Sequence, residues 1–309
     1  MIKTVAYALF ERRDPAASRS FYEQFGLTVV EDREDRVLFR GAEGRPVIFG
    51  LIQGESDRLA RMGYELRSEA DLERAAERFG VPAVPVEDMP GGGRRVEIED
   101  CDGNRLDLLW GVEPVAELSL GREEVDLNTA TNTRRKGRFP IFEDGPVPVL
   151  HVCHVIHCSN DPKRFADWYV ENLGAYVSDV IEMPNGVPAI AFLRFPNGKE
   201  FVDHHNAGVA LGEPNAVQHI CFEVQDMDAL FMGHRHLHAI HAQNDWGPLR
   251  HSVGGAVSDY WFDPVRLRVE HVTDSDVVND EYPTQILPLS DKAAFQWAGQ
   301  PMPEDFGRS

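Results

Sequence analysis

The stretch VLHVCHVIHCSNDPKRFADWYVENLG, residues 149–174, contains the pattern from which the fold can be predicted. An apolar, strand-like run is followed by a segment with the composition of a helix. The N-terminus repeats this order, because the apolar run at residues 4–10 precedes DPAASRSFYEQFGL at residues 14–27. There Asp14 is a helix N-cap, Pro15 a first helical residue and Gly26 a stop signal. Both stretches predict a strand followed directly by a helix.

Three short β-type runs, separated by charged or Gly-containing turns, follow the first predicted helix. The unit is therefore βαβββ. The same order returns from about residue 60, and again in units that begin near residues 149 and 217. Repetition at a period of about 55 residues carries more weight than any local assignment. The sequence predicts an α+β fold of four βαβββ modules, paired into two similar domains.

The modules and the segments between and after them define the predicted domain organisation. Residues 113–146 are polar without sustained periodicity, which is typical of a connection. In the acidic tail, Phe295 and Trp297 predict packing against the body. The prediction is an N-terminal domain of two modules without metal ligands (1–112), a linker (113–145), a C-terminal metal-binding domain (146–273) and a packed tail (274–309).

The composition excludes several classes of partner. A formal net charge of −20 over 309 residues would repel phosphate backbones and anionic lipid. Apolar runs are too short for a signal peptide or for a membrane span of about 20 residues. We therefore expect a cytoplasmic protein that binds neither nucleic acid nor membrane. The four Cys lie in apolar runs and are expected to be reduced thiols.

Candidate metal ligands emerge when the modules are compared with one another. His154 lies seven residues before Asp161, and His219 lies seven residues before Asp226. Modules three and four thus carry a histidine at equivalent positions. The corresponding residues of modules one and two are Tyr7 and, approximately, Arg61.

The last strands of the two halves differ in a similar way. Glu270 follows Asp263 by seven residues, whereas the equivalent residue of the N-terminal half is Asp107. Strand alternation puts His154, His219 and Glu270 on the face opposite the helix-packed side chains. Two imidazoles and one carboxylate on three strands match a facial triad, which suits Fe(II), and Mn(II) as an alternative.

These modules, with H-x6-D starts and a Glu on the final strand, resemble the vicinal oxygen chelate superfamily. Two domains with ligands only in the C-terminal half resemble the type I extradiol ring-cleavage dioxygenases within it. The resemblance implies that each domain is an open mixed-sheet barrel. It also implies that the protein is an enzyme whose ligands are His154, His219 and Glu270.

The resemblance implies three catalytic residues as well. The HHxxxAL run is similar to the family's segment before the second metal ligand, so His205 is the implied acid/base residue. Tyr260 and His251 fit the family's Tyr and His that contact the substrate. His204 is expected to be only a strand neighbour. One departure is Arg266, which stands where many relatives have Gly.

The implied reaction is Fe(II)-dependent cleavage of a catecholic ring adjacent to its diol, with insertion of both atoms of O2. Two alternatives are a glyoxalase-like metal-dependent isomerase or lyase, and a non-catalytic metal- or ligand-binding protein of the same fold. We also expect a homo-oligomer. Candidate walls of an aromatic pocket are Phe192, Trp246, Trp261 and the tail from Phe295 to Phe306.

Overall fold

The structure is a computed structural model that describes residues 1–123, 125–137, 141–304 and 306. The predicted linker includes residues 124 and 138–140, and the predicted tail includes 305 and 307–309; these lie outside the described residues. The described residues between 111 and 148 contain no helix or strand. The division into domains stays a prediction.

The N-terminal half forms one mixed sheet of eight strands, in the order β2-β3-β4-β1-β5-β8-β7-β6. Its elements are β1 (Ile2–Arg12), a 3-10 turn (Pro15–Ser18), α1 (Arg19–Phe25), β2 (Thr28–Arg33), β3 (Arg36–Arg40), β4 (Phe49–Gln53), β5 (Arg58–Leu66), α2 (Glu69–Phe79), β6 (Val84–Pro85), β7 (Arg94–Glu99) and β8 (Arg105–Trp110).

The C-terminal half repeats this architecture in a sheet of ten strands. Its elements are β9 (Val149–Ser159), α3 (Pro162–Leu173), β10 (Tyr176–Glu182), β11 (Pro188–Arg194), β12 (Val202–Asp203), β13 (Ala207–Leu211), β14 (Val217–Val224), α4 (Met227–Ala239), β15 (Gln243–His251), β16 (Val257–Phe262), β17 (Arg268–Thr273), β18 (Val277–Val278), β19 (Gln285–Pro288), α5 (Asp291–Ala294) and β20 (Phe295–Ala298).

The strand order of the C-terminal sheet is β19-β10-β11-β13-β9-β14-β17-β16-β15-β20, while β12 pairs separately with β18. Without the two tail strands β19 and β20, this order is that of the N-terminal sheet. The last strand of each module lies parallel to the first, as β4 to β1 and β17 to β14. The first strands of paired modules are antiparallel, as β9 and β14. Four βαβββ modules in two similar sheets are thus confirmed.

Both sheets are open at their edges. Over the described residues, the outermost strands of each sheet do not pair with each other. The C-terminal sheet nevertheless curves around a cavity, which is described below. The predicted open mixed-sheet architecture is confirmed, without a closed ring of strands.

Local sequence accounts for the helix boundaries. The side chain of Asp14 accepts hydrogen bonds from the amides of Ala16 and Ala17, at 3.1 and 3.2 Å, as expected of an N-cap. Gly26 ends α1 at a φ of 110°, a left-handed conformation that favours Gly. The single helix predicted here begins instead with the 3-10 turn. No helix in the described ranges is long and apolar enough to cross a membrane.

Several strands were not predicted from the sequence. β15 contains Gly247 and Pro248, a dipeptide typical of a turn. A register shift between Trp246 and Leu249 accommodates this dipeptide within the β15–β16 ladder. The tail strands β19 and β20 are only four residues each and have little periodicity. Pairing with an existing sheet edge explains why such short segments become strands.

The two halves share a continuous apolar core, which includes residues of both sheets. A buried ion pair also joins them, because the Arg12 guanidinium lies 3.1 Å from the Asp263 carboxylate. The Tyr22 hydroxyl donates to the same carboxylate at 2.9 Å. Phe25 stacks on the His271 ring with centroids 3.8 Å apart. The halves therefore pack against each other through buried side chains as well as through the connecting chain.

Candidate metal centre

Three adjacent strands, β9, β14 and β17, position the predicted metal ligands. Cys221 on β14 is the register partner of both His154 on β9 and Glu270 on β17. His219 is two residues from Cys221, and strand alternation puts it on the same face. His154, His219 and Glu270 are 5%, 5% and 2% exposed. The fold thus brings together in one buried cluster the three residues that the sequence singled out.

The ligand atoms of this cluster converge on one another. Nε2 of His154 lies 3.0 Å from Nε2 of His219. The Glu270 Oε2 atom is 3.1 Å from His219 Nε2 and 3.5 Å from His154 Nε2. Two imidazole nitrogens and one carboxylate oxygen at such separations form the donor set of a two-His, one-carboxylate site.

The protonation states fit a bound divalent cation. Burial lowers the pKa of His219 to about 4, so its ring is neutral near pH 7. Burial would raise the pKa of Glu270, but the adjacent imidazoles of His154 and His219 outweigh burial and hold that pKa well below its usual value. Oε2 of this buried carboxylate has no directed hydrogen bond. Because an unsatisfied buried charge is costly, a cation fits here.

Gln218 supports one ligand and was missed in the sequence. The Nδ1–H group of His219 donates to the Gln218 Oε1 atom, which leaves Nε2 free for a metal. The Gln218 Nε2 atom in turn donates to the Phe306 carbonyl at 2.6 Å. Neighbouring residues of a strand normally face opposite sides, but a register shift lies between Val217 and His219. No sequence signal identified this irregularity.

Cys221 also lies at the site, although the sequence did not single it out as a ligand. Its sulfur lies within 4.8 Å of the ligand atoms of His154 and Glu270. Burial is the largest of several effects that raise its pKa well above the usual value. The side chain therefore stays a neutral thiol near pH 7. A thiol is a poorer ligand than a thiolate, so we retain the two imidazoles and the carboxylate as the candidate ligand set.

His205 lies beside the cluster, in the irregular segment between β12 and β13. Its ring centroid is 4.1 Å from that of His154 and 4.9 Å from that of Phe192. Burial, followed by the nearby rings of His154 and His204, lowers its pKa well below the usual value. The residue predicted as acid/base is therefore a neutral ring at the edge of the candidate centre.

Tyr260 and His251 form a pair on the other side of the cluster. Nδ1 of His251 lies 2.9 Å from the Ala294 carbonyl, which can only accept, so Nδ1 carries the hydrogen. Nε2 of His251 therefore accepts from the Tyr260 hydroxyl, at 2.8 Å. Tyr260 is the register partner of Glu270, and its ring centroid lies 5.3 Å from that of His219. The two predicted substrate-contact residues are thus hydrogen-bonded to each other.

The prediction for His204 was wrong. It does not lie on a strand; it is 2% exposed in the irregular segment before β13. Its Nε2 atom lies 2.8 Å from the Asp179 carboxylate, and its Nδ1 atom lies 3.1 Å from Nδ1 of His205. Strand alternation could not reveal this arrangement, because residues 204–206 are not extended as a strand.

A cavity of about 800 Å³ opens onto the cluster. All six predicted site residues line it. Among the candidate wall residues, Phe192, Trp246 and Phe306 line the cavity, whereas Trp261 packs against His234 and His238. The rest of the described wall is largely apolar with several acidic groups, and no Lys or Arg belongs to it.

Known proteins are similar to this chain in sequence and in fold. Residues 151–270 match the family model described as "Glyoxalase/Bleomycin resistance protein/Dioxygenase superfamily". Biphenyl-2,3-diol 1,2-dioxygenase of Metapseudomonas furukawaii is 27% identical over 237 residues, 74% of this chain and 72% of that protein. Metapyrocatechase 2 of Cupriavidus necator is 26% identical over 309 residues, 98% of this chain and 90% of that protein.

The fold is also similar to that of a solved structure, the Mn(II)-bound glyoxalase from Novosphingobium aromaticivorans. The TM-score is 0.80 at 19% identity, covering 99% of this chain and 93% of the other. The predicted enzyme class, a type I extradiol dioxygenase, agrees with the names of the two sequence relatives. The matched family segment begins on β9 and ends at Glu270, and so includes every candidate ligand. Residues 151–270 are thus similar to the Glyoxalase/Bleomycin resistance protein/Dioxygenase superfamily, and the whole chain is similar in fold to a glyoxalase.

Proposed function

We propose that the protein is an Fe(II)-dependent extradiol dioxygenase that opens a catecholic ring beside its diol. Both atoms of O2 enter the ring-opened product, so the reaction needs no external reductant. The observation that carries the proposal is the convergence of His154, His219 and Glu270 in the wall of a cavity that can hold an aromatic molecule. The names of the two sequence relatives support the same reaction class.

The donor set indicates how the metal would be held. His154 and His219 would bind it through Nε2, and Glu270 through its carboxylate. When bound, a ferrous ion supplies coordination positions for the diol and for O2 and conducts electron density between them. Nitrogen and oxygen donors without thiolate fit Fe(II), and Mn(II) is the alternative. The reducing cytoplasm predicted from the sequence would keep iron ferrous.

The protein's own groups would move and hold protons. His205 is a neutral ring at the edge of the centre, so it can accept a proton from a catechol hydroxyl and return it later. The Tyr260 hydroxyl donates its hydrogen to His251, which leaves its oxygen free to accept a hydrogen bond from the substrate. His205 and Tyr260 would thereby orient the catechol ring of the substrate from two different sides.

The cavity indicates the kind of catechol. Its volume of about 800 Å³ exceeds what a single ring needs, and many of the side chains around it are apolar. No described residue of its wall is cationic, whereas Asp203, Glu223, Asp291 and Glu304 are acidic. A carboxylate on the substrate would meet no counter-charge here. We propose a catechol with a bulky apolar substituent, such as a second aromatic ring.

A glyoxalase-like isomerase is the competing function, because the fold of the Mn(II)-bound glyoxalase is similar. Such members use a further carboxylate or amide from the neighbouring module's strand, an implication of the resemblance. The equivalent strand β13 has the sequence AGVAL and offers neither. The histidine pair precedes it instead. These residues favour ring cleavage over isomerisation.

Oxygen uptake by metal-reconstituted protein tests the proposal. Protein loaded anaerobically with Fe(II), and in parallel with Mn(II), is mixed with aerobic catechol, 3-phenylcatechol or 3,4-dihydroxyphenylacetate. We expect O2 consumption, a yellow ring-opened product, and the highest kcat/KM with 3-phenylcatechol. A glutathione hemithioacetal should remain unchanged.

The possible results distinguish ring cleavage from isomerisation and also test the proposed substrate class. No O2 uptake with any catechol contradicts ring cleavage, and turnover of the hemithioacetal would then favour the isomerase. Uptake that is fastest with the carboxylated catechol contradicts only the proposed substrate class. The Glu270→Gln variant serves as the inactive reference for oxidation by free metal.

A further inference from the structure

Two histidines of helix α4 lie one turn apart on the same face. His234 and His238 are four residues apart, the spacing at which a helix can present two imidazoles to one metal ion. Their ring centroids are 4.4 Å apart, and both rings contact Trp261 of β16, at 5.5 and 5.0 Å. The intervening His236 has a different neighbour, because its Nε2 atom lies 2.8 Å from the Gln24 side chain. His234 and His238 therefore form a pair of possible ligands apart from the three residues already described.

A buried carboxylate fixes the orientation of His234. Asp259 is 0% exposed, and each of its two carboxylate oxygens lies 3.0 Å from Nδ1 of His234. Both oxygens also accept from N–H groups. The Trp261 indole nitrogen lies 2.7 Å from Oδ2, and the Asn244 amide nitrogen lies 3.3 Å from Oδ1. A ring nitrogen placed equally between two accepting oxygens carries a hydrogen, so Nδ1 of His234 is the donor to Asp259.

This contact leaves the other ring nitrogen of His234 available to a metal ion. Nδ1 carries its hydrogen in the neutral and in the cationic form of this ring, so a metal would bind at Nε2. Within the described part of the chain, Nε2 forms no hydrogen bond. Histidines that bind metals almost always donate their second N–H group, often to a carboxylate, which fixes the ring and increases its basicity. Asp259 and His234 have this arrangement.

His238 has the properties of a second ligand. Burial, followed by the neighbouring His234 ring, lowers its pKa below the usual value, so the ring is neutral near pH 7. The residue is exposed, and its side chain can therefore rotate to bring a nitrogen toward Nε2 of His234. The adjacent cation, Arg235, is paired with the Asp144 carboxylate. The net charge of −20 also favours the approach of a cation.

The histidine pair lies on the opposite side of β16 from the candidate metal centre. Tyr260 lines the cavity and contacts His219, whereas Asp259 and Trp261, its neighbours in β16, contact α4. This division is expected because adjacent side chains of a strand face opposite sides of its sheet. Neither histidine of the pair belongs to the described cavity wall. An ion bound to α4 would therefore be separate from one bound by the triad.

We propose that His234 and His238 form a second metal site, which binds a late first-row divalent ion such as Zn(II) or Ni(II) at the surface of α4. Water would complete the coordination, and Asp259 would be the positioning residue for His234. Imidazole suits these ions, whereas Mg(II) prefers oxygen ligands. The site is independent of the proposed ring cleavage, because it uses none of the residues assigned to that reaction.

Equilibrium dialysis of the iron-loaded protein tests the second site. Protein that already holds Fe(II) is dialysed without oxygen against Ni(II), Zn(II) or Mg(II), and elemental analysis gives the bound ions. We expect one additional Ni(II) or Zn(II) per chain, retention of the iron, and no bound Mg(II). His238→Ala should weaken Ni(II) binding by roughly 100-fold, because two ligands on one helix bind far better than one. His241→Asn removes an exposed histidine outside the pair and, as the matched control, should bind Ni(II) like wild type.

The role of Asp259 has its own variant and its own readout. Asp259→Asn should lower the affinity for Ni(II) by roughly tenfold or more, the scale of losing a group that orients a ligand. In 15N spectra of histidine-labelled wild type, Zn(II) should shift Nε2 of His234 and leave Nδ1 protonated. If Asp259→Asn folds poorly, this spectrum still tests the orientation, and a metal shift at Nδ1 contradicts it.

Tryptophan fluorescence gives a further measurement of the same site. Ni(II) should quench the emission of iron-loaded wild type, because Trp261 contacts both rings, and should not quench that of His238→Ala. Equal Ni(II) affinity in wild type and His238→Ala, or equal losses in His238→Ala and His241→Asn, overturns the inference. Absence of O2 uptake by wild type contradicts only the proposed ring cleavage.

Discussion

Asp107 holds in the N-terminal sheet the position that Glu270 holds in the C-terminal sheet. Asp107 on β8 is the register partner of Gly63 on β5, as Glu270 on β17 is of Cys221 on β14. Tyr7 is also a partner of Gly63. It therefore corresponds to His154, as the comparison of modules predicted. At these positions the two halves have different side chains but the same strand pairing.

The N-terminal cluster contains its own cation. The Arg61 guanidinium lies 3.1 Å from both carboxylate oxygens of Asp107, and the Tyr7 hydroxyl donates to the same carboxylate. Arg61 pairs with Leu9 as His219 pairs with Ile156, so it occupies the position of the second ligand. In the N-terminal half the Arg61 guanidinium therefore neutralises the buried Asp107 carboxylate. In the C-terminal half a bound metal ion would neutralise the equivalent Glu270 carboxylate.

Equivalent amide substitutions in the two halves should have different consequences. Glu270→Gln removes the anionic ligand, and we expect Fe(II) affinity to fall by at least about 100-fold, more than the loss of a supporting residue. Asp107→Asn should leave metal content unchanged. It should lower the free energy of unfolding by about 2 kcal/mol, because Arg61 loses its buried partner but keeps Glu97. Elemental analysis and denaturant unfolding measure the two effects, and loss of metal from Asp107→Asn would contradict the assignment.

Tyr260→Phe should reduce catalysis more than stability. The substitution removes the donor to His251 Nε2 and the oxygen proposed to accept from the substrate. We expect kcat/KM for oxygen uptake to fall by roughly tenfold or more. Tyr22→Phe is the matched control, since it deletes a buried hydroxyl that donates to Asp263 far from the cavity. It should cost about 1 kcal/mol of stability without changing kcat/KM. Equal kinetic losses in both variants would contradict the role of Tyr260.

The stability of the protein should depend on pH through His151. This ring lies 3.1 Å from Glu43 of the N-terminal half and 3.2 Å from Glu223 on β14. Burial alone would lower its pKa, but interactions with Cys153 and Glu43 outweigh burial and raise the pKa well above its usual value.

Because the folded pKa exceeds the unfolded value near 6.5, the stabilisation is complete below about pH 6.5. It is lost as pH rises through the folded pKa. The expected contribution is about 1 kcal/mol for such a partly exposed pair. Unfolding midpoints of wild type and His151→Gln should therefore differ more at pH 6 than at alkaline pH. A constant difference would show that His151 contributes packing and not charge.

Arg266→Gly should stabilise the protein. Arg266 has a φ of 73°, a left-handed conformation that costs a non-Gly residue about 1 kcal/mol. Its guanidinium lies 3.9 Å from the Phe262 ring centroid, and losing this contact offsets roughly 0.5 kcal/mol. We expect a net gain of about 0.5 kcal/mol in denaturant unfolding. Asn215→Gly, at a φ of 65°, should gain less because Asn tolerates this conformation. A loss in Arg266→Gly would contradict the strain.

Comparison of modules predicted the candidate ligands because equivalent residues occupy equivalent register positions. The same comparison found the strand that contains Glu270. Local signals found the helical segment between Asp14 and Gly26, since Asp, Pro and Gly act locally. The resemblance implied Gly at the position of Arg266, and the positive φ found there is a conformation that favours Gly. These predictions depended on sequence patterns within a single module or repeated between modules.

Contacts between distant segments could not be predicted in this way. Gln218 reaches His219 only through a bulge, and bulges leave no periodic signal. Asp179 approaches His204 because β10 and the segment before β13 meet in the folded sheet. The pairing of β19 and β20 depends on edges that exist only after the modules assemble. Such features follow from the completed sheet and not from any single stretch.

The tail strands pair with opposite edges of the same sheet, β19 with β10 and β20 with β15. The chain between them must therefore span the cavity from one edge to the other, and Leu289, Ala293 and Ala294 line the cavity along this route. The carbonyl of Ala294 also holds His251. The cavity size and the orientation of His251, a proposed substrate-contact residue, therefore depend on a segment outside the four modules. Exchanging the tail between relatives would thus change which substrates fit while leaving the metal ligands untouched.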